Sequence, residues 1–146
     1  EVPLMQTLLG LAAEGRAAAR PWLFCPAGIG GHVDHVAVLM VVARNLERLA
    51  PRYRIAFYED LYYASDATVR GVGLERLFRA LSGRSLDHHS FPLADGGAEK
   101  LKLLHLYPSQ FDVMPRSIER FTPFAGAGTA PHEAIWTEEG MAQYVP

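Results

Sequence analysis

Apolar residues fall in blocks along the chain, and the spacing differs from block to block. Leu4, Leu8 and Leu11, with Met5 and Ala12 beside them, recur every three to four positions. This predicts an amphipathic helix from Leu4 to Ala19, with Pro3 in its first turn and Pro21 ending it. Trp22-Leu23-Phe24-Cys25 is a short unbroken apolar run closed by Pro26, Gly28, Gly30 and Gly31, the pattern of a buried strand running into a loop. Asp34 stands where a cap would, ahead of a helix through Ala50. Its first half, Val36 to Ala43, is apolar on every side and so predicts burial all round. The β-branched residues make strand the rival for Val36 to Val42, while Arg44-Asn45-Leu46-Glu47-Arg48-Leu49 favours helix. Arg54 to Tyr58 predicts a second strand.

Strand, helix and strand joined by short loops form a βαβ unit, which predicts an α/β fold with a mainly parallel sheet. Ligands bind at the carboxyl ends of such strands. Two loops leave those ends, Pro26 to His35 and Glu59 to Ala64, and they are expected on one rim. Further on, Leu74 to Leu81 and Ala98 to Tyr107 predict helices, and Ser85 to Leu93 predicts a strand. The tail from Thr122 carries several Gly and Pro residues before Trp136 and predicts surface loop. No linker or repeat divides residues 1–146, so one domain is expected.

Composition narrows the classes. Lys and Arg number 14 against 16 Asp and Glu, a net charge of −2, which argues against a partner recruited by bulk positive charge, such as nucleic acid. The longest apolar run, Val36 to Ala43, has eight residues, and a membrane span needs about 20. Cys25 is the single cysteine, which excludes an internal disulfide and a cysteine-built zinc site. No signal peptide is visible, and a reducing, cytoplasmic setting is expected. Homo-oligomerisation is left open.

The chemistry concentrates in Gly28-Ile29-Gly30-Gly31-His32-Val33-Asp34-His35. His32 and His35 are three apart, a spacing that brings both to one side of a helix start. Asp34 is suited to orient an imidazole, and Gly30 and Gly31 let backbone approach a ligand. The plainer alternative makes Asp34 only a cap and the histidines surface or core residues. A dinucleotide-binding turn fits poorly, because position 33 is Val where a third glycine belongs. Glu59 and Asp60, on the same rim, are candidates for substrate hydroxyls or for anchoring the loop.

"GIGGHVDH", then a helix, a strand and "FYEDLYYA", then "EKLKLLHLYPSQ", resembles the LmbE-like (PIG-L) N-acetylglucosamine deacetylase family over Leu4 to Gln110. The resemblance implies a Rossmann-like three-layer fold and zinc-dependent removal of an N-acetyl or other N-acyl group from an amino sugar or glycoconjugate. It further implies that His35 is a zinc ligand, that His32 stabilises the oxyanion or protonates the leaving amine, and that Asp34 holds His32. Tyr62 departs from the proline expected of the family. So does the absence of its early His-Pro-Asp-Asp motif, which supplies two zinc ligands and the general base. The start at Glu1, without Met and with a helix, predicts that the N-terminal strand and that motif lie outside this sequence. The alternative is a non-catalytic relative that keeps the cleft.

The remaining candidates are weaker. Asp87-His88-His89 suggests metal, but adjacent histidines on a strand point to opposite faces. His132 and Trp136 are placed either at a sugar site or in tail packing, Ser109 and Gln110 in structural hydrogen bonds, and Tyr53, Tyr63 and Phe78 in packing.

Overall fold

A computed structural model describes residues 2–14, 20–107, 118–126 and 128–145. Helix α1 (Val2–Glu14) precedes strand β1 (Trp22–Pro26). Helices α2 (Val33–Arg44) and α3 (Leu46–Leu49) lead to β2 (Arg54–Tyr58). Helix α4 (Ala67–Ala80), β3 (Leu86–Pro92), α5 (Ala98–Leu104) and β4 (His132–Glu138) follow. The helix expected through Ala19 is described as far as Glu14, and residues 15–19 lie outside the described set.

Strands β1 and β2 pair in parallel, from Trp22 opposite Arg54 to Pro26 opposite Tyr58, with α2 and α3 as the crossover. The βαβ unit is therefore present. The sheet as a whole is not mainly parallel. Its order is β1-β2-β4-β3, and β4 runs antiparallel to both neighbours. The protein is an α/β chain with a mixed, open, four-stranded sheet. Strand β4 occupies the stretch expected as loop. It is an inner strand, and Ala134, Ile135 and Thr137 are all buried, so it shows no regular apolar–polar alternation.

Helix boundaries also differ. Helix α2 starts at Val33, and His32 rather than Asp34 is its cap, with Nδ1 accepting the Asp34 N–H at 3.4 Å. Asn45 splits the expected long helix. Its φ of −113° leaves the helical range, and its side-chain N–H donates back to the Val41 carbonyl at 2.9 Å. Helix α4 begins earlier than Leu74, where the Asp66 carboxylate accepts the amides of Thr68 and Val69, both at 2.9 Å.

The core packs Leu8 of α1, Leu39 and Val42 of α2, Leu49 of α3 and Leu77 of α4 against Cys25, Ile55 and Phe57. Residues of opposite parity along the strands face the other way. There Trp22, Phe24, Tyr58, Phe91 and Ile135 line an apolar groove of about 430 Å³. Among the described residues, no helix is long and apolar enough to cross a membrane.

Candidate functional site

The loop after β1 is shaped by its glycines. Gly28, Gly30 and Gly31 have φ of 74°, 82° and 74°, left-handed values that favour glycine. A Cβ on Gly30 would stand 2.2 Å from Cγ of Tyr63, so the ring of Tyr63 closes directly over the backbone. Ile29 between them is fully buried. Burying such a side chain contributes roughly 1.5–3 kcal/mol, which pins the loop from which His32 projects. Gly73 of α4 makes room, since a Cβ there would meet the Ile29 Cα at 2.7 Å.

The loop after β2 locks onto this one, as the shared-rim argument expected. Asp60 Oδ2 accepts the Ile29 N–H at 2.9 Å, and Asp60 Oδ1 contacts His35 Nδ1. The Asp60 side chain is 1% exposed, whereas the His35 side chain is 38% exposed. Nδ1 is sealed from solvent, so the accessible part of the ring carries Nε2. A carboxylate on Nδ1 fixes the tautomer and leaves the Nε2 lone pair for a ligand or a proton. Burial is the largest influence on Asp60 and lifts its pKa above the ordinary value, against the lowering pull of His35 and of the Ile29 and Gly28 amides.

The pairing differs from the expected one. Asp34 is 82% exposed, and its carboxylate stands 3.8 Å from His32 Nδ1, too far for a hydrogen bond. Asp60 orients His35; Asp34 is not built to hold His32. The two imidazoles do come together, with ring centroids 5.3 Å apart. His32 is half exposed on the solvent side.

Glu59 and Asp60 do not reach out to a substrate. Glu59 is a buried anchor. Arg70 of α4 donates to both its oxygens at 2.6 Å, and Trp136 Nε1 donates at 3.0 Å. Burial pushes the Glu59 pKa up, but His88, Arg70 and Trp136 outweigh it and bring it down to about 2. This fastens α4, β4 and the end of β2 together behind the rim. Arg70 carried no signal in the sequence, because helical spacing does not say which carboxylate a surface arginine will meet.

The weaker candidates are structural. His88 packs against Trp136 with the rings tilted at 46° and lies 3.6 Å from Glu59, while His89 bonds the Thr137 hydroxyl on the other face at 2.9 Å. Trp136 packs edge-on against Phe78, the tail-packing alternative. His132 is buried, with its N–H donating to the Thr122 hydroxyl at 2.6 Å. The Tyr53 hydroxyl bonds the Leu8 carbonyl. Burial, with a further push from Asp60, raises the Cys25 thiol to about 12, so it stays protonated and inert. Ser109 and Gln110 lie outside the described residues.

Among the described residues, no three His, Cys, Asp or Glu side chains converge as metal ligands would. Catalytic zinc takes three protein ligands and an open position. The resemblance assigns His35 as one, and the described residues do not fit a zinc ion by themselves. Comparison with protein-family models, with curated proteins and with solved structures gives no match.

Proposed function

We propose that the His32–His35 rim is part of the active site of a zinc-dependent N-deacetylase acting on an amino sugar or glycoconjugate, built on a Rossmann-like layered fold. The observation that carries it is the Asp60–His35 pair. A buried carboxylate holds Nδ1 of a half-exposed imidazole at the carboxyl ends of two parallel strands. Oriented imidazoles of this kind serve as metal ligands, and the strand ends are where α/β sheets bind ligands. His32, beside it and outside the Asp60 pair, is free to donate to a developing oxyanion or a leaving amine. The reading needs two more ligands from outside the described residues. The single visible ligand favours a second reading, a binding module with the same rim and no metal.

Measured on the whole natural protein, acetate release from an N-acetylglucosamine-containing substrate, with zinc quantified on each variant, separates the two. His32→Ala is expected to keep its zinc and to lose about 100 to 1,000-fold in turnover. His35→Ala is expected to lose the zinc. Asp60→Asn is expected to weaken zinc about 10 to 100-fold, the usual effect of removing an orienting carboxylate. Asp34→Asn, exposed and distant from His32, is expected to lose less than about tenfold. Near-normal acetate release from His32→Ala with zinc bound removes His32 from the chemistry. An unmodified protein free of zinc and without acetate release leaves the binding module.

A further inference from the structure

We propose that the cleft between the glycine loop and α4 is an oxyanion subsite anchored by Arg76. The cleft has a volume of about 200 Å³ and is lined by Gly30, Gly31, Thr68, Val69 and Arg76. A site for a whole small molecule is roughly 300–1,000 Å³, so this one takes a single substituent. Its wall is continuous with the candidate site, because Gly31 is bonded to His32 and consecutive Cα atoms are about 3.8 Å apart.

Arg76 is the feature that points to an anion. Arg70 pairs with Glu59, Arg79 with Glu75, and Arg84 with Glu47 and Glu138. Arg76, like Arg20, Arg48 and Arg52, bonds a neutral acceptor and no carboxylate among the described residues, and of these four it is the one in the cleft wall. It is half-buried, and its Nη1 donates to the Gly28 carbonyl at 2.8 Å. One neutral acceptor positions the guanidinium without neutralising it. The remaining N–H groups are available, in the planar fork that matches a carboxylate or phosphate.

The loop leaves space for such a group. A Cβ on Gly31 would come within 3.8 Å of both Nη atoms of Arg76, so only glycine keeps this side of the guanidinium open. Gly31 also has a φ of 74°, which keeps a side chain away from the position. The adjacent carboxylate, Glu75, pairs with Arg79, and Asp66 at the cap of α4 is engaged by the Thr68 and Val69 amides. On the deacetylase reading, on which this step rests, the substrate is an N-acylated amino sugar that carries a phosphate ester or a carboxylate.

Two measurements test this separately from the deacetylase reading. First, the protein is titrated with inorganic phosphate, and separately with acetate, while backbone amides are followed by NMR. Saturable shifts are expected at Gly30, Gly31 and Thr68, and the tighter of the two anions identifies the substituent. Arg76→Gln is expected to weaken binding by about tenfold or more, the loss of charge-assisted hydrogen bonds. Arg76→Lys, which keeps the charge without the fork, falls between. Arg79→Gln leaves the affinity within about twofold, well inside the effect of a lost charge-assisted bond. Shifts scattered over the surface of the unmodified protein overturn the proposal whether or not the variants fold. So does equal loss in the Arg79 and Arg76 variants. Second, acetate release by the whole natural protein is compared for N-acetylglucosamine, its phosphate ester and a carboxylate-bearing analogue. Arg76→Gln is expected to raise KM for the preferred charged substrate with kcat unchanged. No acetate from any substrate sinks the deacetylase reading, while the titration still decides the anion subsite.

Discussion

Glu59 is the carboxylate that the fold holds most firmly ionised. Its pKa falls from an ordinary 4.5 to about 2, which corresponds to about 3 kcal/mol of stability. Because the folded-state value is the lower one, that contribution is complete above pH 4.5 and disappears as pH falls toward 2. Glu59→Gln is therefore expected to cost about 3 kcal/mol at neutral pH, since Arg70 loses its partner. Its stability is also expected to fall less steeply than that of the unmodified protein across the acid range. Urea unfolding at a series of pH values checks both, and parallel pH profiles would contradict the assignment. The sequence made Glu59 and Asp60 conspicuous as carboxylates ending a strand, but not their environment. Whether such a pair is solvated or buried depends on Arg70, Trp136 and His35, which come from three other elements. For the same reason Asp34 was the natural partner of a histidine by proximity in the chain, and Asp60 is the actual one.

The elements divide by how local their causes are. The unit β1–α2–β2 was legible because each part carries its own pattern: an apolar run, a glycine turn, a helical stretch, a second run. The break at Asn45 was not, since it comes from one side chain bonding backward to the Val41 carbonyl. Strand β4 was illegible because its partners lie far away in the chain and its burial on both faces erases the alternation. Within α4, two glycines two residues apart give opposite expectations. Gly71 has nothing within 4 Å of a Cβ. Gly71→Ala is expected to stabilise by up to about 1 kcal/mol through helix propensity. Gly73→Ala gains the same propensity but drives a methyl into the Ile29 backbone at 2.7 Å. Overpacking costs about 1–3 kcal/mol, so the net change is expected to be destabilising. Urea midpoints of the two variants test the contrast, and a stabilised Gly73→Ala would show that α4 and the glycine loop are not in close contact.

For the molecule as a whole, fold and chemistry are unequally present in these residues. The rim is assembled, with two loops locked and two imidazoles adjacent, while the ligand set is not. The 146-residue chain is therefore expected to bind zinc weakly and below stoichiometry in equilibrium dialysis, and still more weakly as His35→Ala. Tight, stoichiometric zinc that survives His35→Ala would contradict the role given to His35.

Asp60 ties the backbone of one loop and the imidazole of α2 to a single carboxyl group. Shape and reactivity are then inseparable at that position: whatever replaces Asp60 must satisfy the Ile29 amide as well as His35. Substitution at position 35 takes the contact from Asp60 Oδ1 and leaves the Ile29 amide satisfied. Replacement at position 35 therefore removes one contact and replacement at position 60 removes two, so the carboxylate is expected to outlast the histidine in any lineage that keeps the fold.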